Sequence, residues 1–195
     1  MSAISTTAPA PELALAQERI RRLTGLVFSE SRHDLLSAGL MRGMKRANAS
    51  DLTTYLDQLE TAPALLDDLV AEITVGETYF FRDPEQCRLI RDRILPALSE
   101  DRPHASLRVW SAGCATGEEA YTLAILLSES GSPDPARIVG TDLSRSALAR
   151  ARRGRYGRWS LRGVPADAVA RNFQHFSGAS SPSFPNFDVL WNSAI

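Results

Sequence analysis

The sequence predicts an α/β protein in which a small all-helical domain precedes a doubly wound parallel sheet. Between residues 11 and 74, apolar residues recur every three or four positions, as on one face of a helix. From residue 107 onward, short apolar runs alternate with helical stretches. The 195 residues can form both domains, and 44% hydrophobic with 23% charged residues is typical of a soluble globular chain.

Four amphipathic helices are predicted in the first part of the chain. The first begins at Pro11 and reaches Val27, and the third and fourth follow Ser50-Asp51 and Thr61-Ala62-Pro63, which supply a capping residue or a first-turn proline. We assign residues 11–75 to a helical domain and expect residues 1–10 to form a flexible tail. The apolar positions that define these helices are Leu13, Ala16, Ile20, Leu23 and Val27; Leu36, Leu40 and Met44; Leu52, Tyr55, Leu56 and Leu59; and Leu65, Leu66, Leu69, Val70 and Ile73.

Residues 76–195 are predicted to form the sheet domain. Asp83-Pro84-Glu85-Gln86 combines a cap residue, a proline at the first helical position and a glutamine three residues after the cap, so a helix should begin there and end between Pro96 and Ser99. A strand over 107–112, a glycine-containing loop, a helix around 121–127, a strand over 137–142 and a helix capped by Ser144 follow. Strand, glycine turn, helix, strand and helix in this order are the start of a doubly wound sheet, in which ligands bind at the carboxyl ends of the strands.

The pattern weakens after Gly163. Residues 177–185 are rich in Ser, Gly and Pro and are typical of a loop, whereas residues 187–191 are a plausible third strand. A parallel sheet is normally covered on both faces. Two clear strands and one weak strand therefore predict an incomplete sheet domain.

Composition and charge exclude several classes of function. The net charge of −1 gives no overall attraction to nucleic acid or to an anionic membrane, and no apolar run approaches the ~20 residues of a membrane span. The N-terminus lacks the basic and apolar regions of a secretory leader, and the two cysteines, Cys87 and Cys114, fit no disulfide framework or metal spacing. We expect a cytoplasmic protein with no metal site, no nucleic-acid partner and no direct membrane insertion.

The first candidate site is the loop over residues 113–119, between the first strand and the next helix. Its glycines, Gly113 and Gly117, are four apart and no Lys follows, so it is neither a dinucleotide fingerprint nor a phosphate-binding loop. Glu118 and Glu119 would repel a phosphate and favour a cationic ligand without one, such as S-adenosylmethionine. Asp142, at the end of the second strand, is placed like an acid that binds a ribose diol. The alternative is a tight turn with acids that cap helices.

The second candidate site is the linker that joins the two domains, residues 75–84. Tyr79, Phe80 and Phe81 precede Arg82, and such a group can stack on an adenine or hold a guanidinium in place. The alternative is that the aromatic residues are interdomain core and that Arg82 pairs with Asp83.

Together these segments resemble the CheR family of chemotaxis receptor glutamate methyltransferases. The linker G-E-T-Y-F-F-R, residues 76–82, is similar to the family motif N-x-T-x-F-F-R, and S-A-G-C-A-T-G-E-E-A-Y, residues 111–121, is similar to the family's S-T-G-E-E-P-Y stretch. The run G-T-D-L-S-x-x-A-L-x-x-A-x-x-G-x-Y, ending at Tyr156, is similar to the family's second-strand segment. The resemblance covers about residues 13–176, and the three motifs together are more specific than any one alone.

This resemblance implies an S-adenosylmethionine-dependent methyltransferase domain of Rossmann-like fold behind the helical domain. It implies cofactor binding by Gly76, Thr78, Arg82, a glutamate of the Glu118-Glu119 pair and Asp142, with Arg82 also close to the reacting groups. Gly76 departs from the family's frequent Asn. The implied substrate is the cytoplasmic helices of a methyl-accepting chemoreceptor. The linker sequence V-G-E-T-Y-F-F-R resembles the branch of the family that acts on receptor-like proteins in surface sensing.

A basic stretch follows Asp142. Seven arginines and no acid lie between Leu143 and Ala166, which fits either a solvated helix face or a patch that steers an acidic partner. Two other functions remain open at this point. The alternatives to a methyltransferase are a non-catalytic receptor-binding module and, less in keeping with the glycine spacing, a nicotinamide oxidoreductase.

Overall fold

A computed structural model describes residues 10–74, 76–101, 107–130, 137–176 and 179–182 of the chain. These residues form two compact units, and the division between them falls just before Gly76. Each unit has its own hydrophobic core.

The first unit is a bundle of helices. Its helices are α1 (Ala10–Thr24), α2 (His33–Ala47), α3 (Leu52–Thr61) and α4 (Pro63–Ile73), and a 3-10 turn (Glu30–Arg32) precedes α2. The Asp51 carboxylate begins α3 by accepting a hydrogen bond from the Thr54 amide at 2.8 Å, and Pro63 begins α4 at a position where its missing N–H costs nothing. The buried core is formed by Leu13, Ala16, Ile20, Leu36, Leu40, Leu52, Tyr55, Leu56, Leu59, Leu69 and Ile73.

The first helix ends three residues earlier than predicted. Thr24 donates its hydroxyl to the Ile20 carbonyl at 2.7 Å and accepts the Leu26 amide at 3.1 Å, while Gly25 takes a positive φ of 76°. A glycine of positive φ after a helix is a common C-terminal cap. Val27, predicted on the apolar face, is therefore outside the helix and 78% exposed.

The second unit begins with helix and continues into the parallel sheet. Its elements are α5 (Pro84–Leu89), a π-helical turn (Ile90–Ile94), α6 (Leu95–Asp101), β1 (Arg108–Ala112), α7 (Glu118–Glu129), β2 (Arg137–Thr141) and α8 (Arg145–Arg153). The strands β1 and β2 pair in parallel, with Arg108 opposite Arg137 and Ala112 opposite Thr141. Both strands therefore end at the same edge.

The helix that starts at Pro84 passes through the predicted stop. The Leu95 amide bonds to the Ile90 carbonyl, five residues back, so the ladder changes register before Pro96. A proline in the first turn of the new segment lacks only a donor that would have no partner there. The helix consequently continues to Asp101.

The last described residues contain a pair of antiparallel strands that the sequence did not predict. After α9 (Ala166–Asn172), β3 (Phe173–Phe176) pairs antiparallel with β4 (Ala179–Pro182). The prediction of a loop is thus wrong for residues 179–182, because cross-strand pairing overrides a loop-like composition. The predicted third strand, residues 187–191, lies outside the described residues.

Candidate functional site

The loop between β1 and α7 is fastened to the end of β2. The amides of Gly113 and Cys114 both donate to the Thr141 carbonyl, at 2.8 and 2.9 Å. The Ala115 amide donates to Oδ2 of Asp142 at 2.8 Å. Gly113 and Ala115 have positive φ angles of 75° and 47°, and an added Cβ at Gly113 would meet no atom within 4 Å. The backbone at Gly113 is therefore open to a ligand.

Asp142 organises both sides of this edge. Its Oδ2 accepts from the loop, and its Oδ1 accepts from the Ser144 amide at 2.8 Å. Ser144 in turn caps α8 by accepting the Ala147 amide. Each carboxylate oxygen has two lone pairs, so this arrangement leaves acceptor capacity for a ligand hydroxyl. The predicted ribose acid is thus also a structural group.

The two glutamates of the loop have different environments. Glu118 is 2% exposed, and its carboxylate accepts hydrogen bonds from the hydroxyls of Thr116 at 2.6 Å and Ser160 at 2.8 Å. Glu119 is exposed and accepts the Ser111 hydroxyl at 2.6 Å. Successive helical residues point about 100° apart, so one carboxylate faces inward and the other faces outward. Only the position of Glu119 leaves a negative charge accessible at the end of β1.

Gly117 and Tyr156 hold the start of α7 against the end of α8. Gly117 has a φ of 98°, and an added Cβ would lie 2.8 Å from both the Ala151 Cβ and the Tyr156 hydroxyl. That hydroxyl donates to the Thr116 carbonyl at 2.7 Å. Burial, with the nearby Glu118 charge, raises the pKa of Tyr156 far above its ordinary value, so the phenol stays protonated. From the sequence alone, Tyr156 is recognised as the last residue of a motif, but no role is predicted for it.

Cys114 is buried in the core beneath the loop, at 1% exposure. Burial and the charge of Asp142 raise the pKa of its thiol to about 12. A thiol of this pKa is protonated at neutral pH and is a poor nucleophile. Cys114 therefore packs as a small apolar residue in this structure.

The linker is anchored to the second unit by its backbone and by one aromatic ring. The Phe80 amide donates to the Ser160 carbonyl at 2.9 Å, and the Phe81 amide donates to the Thr122 hydroxyl at 3.1 Å. The Phe80 ring is 1% exposed and meets Tyr156 and Phe173 edge to face, with centroids 4.9 Å apart in each pair. Phe80 is thus part of the core of the second unit.

The other linker residues are more accessible. Arg82 is exposed, and its guanidinium donates to the Glu77 carbonyl at 3.0 Å instead of pairing with Asp83. The Asp83 carboxylate caps α5 by accepting the amides of Glu85 and Gln86. Thr78 is half-buried, and an added Cβ at Gly76 would meet nothing within 4 Å.

A chain of contacts connects the linker to the loop. Thr122, which holds the Phe81 amide, donates its hydroxyl to the Glu118 carbonyl at 2.7 Å. Ser160 accepts the Phe80 amide at its carbonyl and donates its hydroxyl to the Glu118 carboxylate. The three segments that the sequence identified separately therefore meet within one unit. Ser160 and Thr122, which the sequence reasoning missed, had no local signal.

The donor set suits a cationic ligand that lacks phosphate. The loop offers open backbone at Gly113, an accessible carboxylate at Glu119 and further acceptor capacity at Asp142, and it contains no Lys or Arg. Carboxylates attract an ammonium or sulfonium group and repel phosphate oxygens. S-adenosylmethionine meets this description. Among the residues that the structure describes, no three His, Cys, Asp or Glu side chains are grouped to hold a metal ion.

A parallel β1–α7–β2 unit with a glycine loop and an acid after the second strand defines the cofactor-binding part of a doubly wound α/β domain. Residues 76–183 match the family described as CheR methyltransferase, SAM binding domain, and residues 11–74 match CheR methyltransferase, all-alpha domain. The chain belongs to the CheR methyltransferase family. This confirms the resemblance, the predicted fold class and S-adenosylmethionine as the cofactor of the family.

Two curated relatives show the extent of the similarity. The chain is 34% identical over 167 residues to chemotaxis protein methyltransferase 2 of Pseudomonas aeruginosa, covering 85% of this chain and 59% of that protein. It is 34% identical over 141 residues to a chemotaxis protein methyltransferase of Borreliella burgdorferi, covering 68% of this chain and 50% of that protein. The chain thus spans between half and three fifths of the lengths of these relatives. No helix within the described ranges is long and apolar enough to cross a membrane.

Proposed function

We propose that this chain binds S-adenosylmethionine and transfers its methyl group to glutamate side chains of a chemoreceptor-like signalling protein in the cytoplasm. The observation that carries the proposal is the meeting of linker, glycine loop and Asp142 at the carboxyl ends of β1 and β2, through Ser160 and Thr122. The family membership and the names of the relatives support the same function.

The site residues have three roles in this proposal. Glu119, with its exposed carboxylate, attracts the ammonium of the cofactor, and Asp142 accepts from the ribose hydroxyls. Glu118 acts from beneath by fixing the loop. Thr78 and Arg82 contact the cofactor from the linker. At Gly76, where the family often has Asn, only backbone groups are available to the cofactor.

The chemistry needs no general base. The sulfonium of S-adenosylmethionine supplies an activated methyl group, and a substrate glutamate with an unperturbed pKa of ~4.3 is already ionised at neutral pH. The protein must then align the carboxylate with the methyl group and exclude water. Arg82 is an exposed residue of the linker, and a guanidinium is suited to orient a carboxylate in two hydrogen bonds.

The partner we propose is the cytoplasmic helical part of a methyl-accepting receptor. Arg150, Arg153 and Arg158 are exposed on and after α8, in a stretch that contains no acid. Such a surface attracts a glutamate-rich helix and raises the association rate, with an effect that salt weakens.

Calorimetric titration with S-adenosylhomocysteine tests cofactor binding. Glu119→Gln should weaken binding and leave the unfolding midpoint unchanged, because the exposed carboxylate makes one hydrogen bond, to Ser111, among the described residues. Asp142→Asn should weaken binding and also lower the midpoint, because its amide group turns a donor toward a backbone N–H. Arg93→Ala, which removes an exposed charge from the π-helical turn of the second unit, is the matched control and should bind as the wild type does. A folded wild-type chain that binds no ligand would refute the proposal.

Methyl transfer is tested with labelled donor and the cytoplasmic fragment of a receptor. Label should appear on glutamate side chains, be stable in acid and be released by mild base, as expected of a carboxyl ester. Receptor binding without label, in a chain that binds the cofactor, would refute transfer and favour the non-catalytic module. Labelling of a fragment whose glutamates are replaced by glutamine would refute the proposed acceptor.

A further inference from the structure

Arg162 lies outside the linker motif but is at the centre of a cluster of side chains that includes two linker residues. Its Nη2 is 3.0 Å from Oε1 of Glu77, and its Nη1 donates to the Trp159 carbonyl at 2.7 Å. Its guanidinium carbon lies 3.8 Å from the ring centroid of Tyr79 and 4.1 Å from that of Trp159. We call Glu77, Tyr79, Trp159 and Arg162 the Arg162 cluster.

The linker residues in the cluster, Glu77 and Tyr79, occupy the two variable positions of the linker motif and alternate in sequence with the motif residues Gly76, Thr78 and Phe80. Glu77 and Tyr79 contact Arg162, whereas Phe80 is buried in the core and Thr78 is half-buried. Three-quarters of the Arg162 side chain is buried, and Trp159 is 71% exposed. A guanidinium that stacks on two rings and also forms an ion pair is held in one orientation, and a lysine cannot make the same planar contacts.

Two further hydrogen bonds connect the cluster to Arg82. The Tyr79 hydroxyl donates to the Arg82 carbonyl at 3.3 Å, and the Arg82 guanidinium donates to the Glu77 carbonyl at 3.0 Å. Arg162 therefore contacts both residues that contact Arg82, from a position 85 residues away from Glu77 in the chain. The contacts form a closed ring from Arg162 through Glu77, Arg82 and Tyr79.

We propose that Arg162 is a positioning residue that holds the linker in the conformation in which Arg82 serves the site. This inference rests on the proposed function, because it assigns Arg162 an effect on cofactor affinity through Arg82. Without Arg162 the backbone of residues 77–82 loses its side-chain support, and its hydrogen bonds to Ser160 and Thr122 open more often. The cofactor must then order the linker as it binds, which lowers affinity.

Calorimetry on a double-mutant cycle tests the proposal. Arg162→Ala should weaken S-adenosylhomocysteine binding about tenfold, and Arg162→Lys, which keeps the charge, should restore only part of the loss. In an Arg82→Ala background, Arg162→Ala should cause no further loss, since both changes remove the same interaction. Arg93→Ala, which removes an exposed charge from the π-helical turn of the second unit, is the control and should not change the affinity.

Hydrogen exchange of the ligand-free protein separates this inference from the proposed function. Arg162→Ala should speed exchange in peptides that contain residues 77–82, whose amides at Phe80 and Phe81 are bonded, and leave α4 unchanged. Additive losses in the cycle, or unchanged exchange in the linker, would overturn the positioning role. A wild-type chain that binds no ligand would instead refute the proposed function, and the exchange result would still decide whether Arg162 holds the linker.

Discussion

Gly117→Ala is the substitution for which the structure gives the sharpest prediction. Gly117 lies between the loop and α7 with a φ of 98°, a conformation that residues with a side chain rarely adopt. Its missing side chain also leaves room for Ala151 and for the Tyr156 hydroxyl, which would each lie 2.8 Å from an added Cβ. Alanine should therefore be strained by its backbone and crowded by its neighbours.

The two costs can be estimated separately. A left-handed conformation costs a residue with a Cβ about 1–2 kcal/mol, and overpacking a closely packed site costs about 1–3 kcal/mol. The sum is about 2–5 kcal/mol, a large part of the roughly 5–15 kcal/mol by which a domain is stable. Gly113→Ala carries the first cost without the second, because Gly113 has a φ of 75° and open space around it.

Urea unfolding followed by tryptophan fluorescence measures this difference in the second unit. Trp110 and Trp159, the two tryptophans that the structure describes, both lie in the second unit and report on its unfolding. Gly117→Ala should lose about 1–3 kcal/mol more than Gly113→Ala. In a titration with S-adenosylhomocysteine the order should reverse, and Gly113→Ala should lose more affinity than Gly117→Ala. Only the added Cβ at Gly113 would fill space that is open to the ligand. Equal losses of stability would refute the reasoning.

Three other predictions follow from single contacts. Gly76→Asn should tighten S-adenosylhomocysteine binding about two- to tenfold with no change in unfolding midpoint, because the position is open, lacks a positive φ and gains a side-chain donor; weaker binding in calorimetry would contradict this. Hydrogen bonds from Arg46 and Arg42 lower the pKa of Glu72 below its ordinary value of 4.5. Its ion pairs therefore stabilise the folded chain above pH 4.5, and this stabilisation is lost as the pH falls through the lowered pKa of the folded state. Glu72→Gln should therefore flatten the acid side of the thermal stability profile, and a profile parallel to the wild type would count against the ion pair. Cys114 should resist alkylation at about pH 8 in the folded chain and react after denaturation, because its thiol has a pKa of about 12; rapid labelling of the folded chain, read by mass spectrometry, would contradict its burial.

The starts of the helices could be predicted because their signals are local. Asp51 and Asp83 cap α3 and α5 through their own carboxylates, and Ser144 caps α8 through its hydroxyl. Each bond joins atoms two or three residues apart, so the residue types and their spacing contain the information. The early end of α1 had a local signal too, Thr24-Gly25, but the apolar period continued to Val27 and concealed it.

The different roles of the two adjacent glutamates in the site could not be predicted from the sequence. Glu118 and Glu119 are adjacent and chemically identical, and their roles differ because the register of α7 against the sheet turns one inward. That register depends on Gly117, Ala151 and Tyr156, which meet only after the chain has folded. Long-range contacts of this kind leave no pattern in a single sequence.

The hydrogen bonds of the site also determine how its variants should be interpreted. Glu118 and Asp142 hold the loop in place, so their replacement would weaken ligand binding even if neither touched the ligand. Glu119 is exposed and bonds to Ser111 alone among the described residues, so its loss would change the charge at the site but not the shape of the loop. Weaker binding at unchanged stability in Glu119→Gln is therefore the result that would show direct contact with a cation, and the same loss in Asp142→Asn would not.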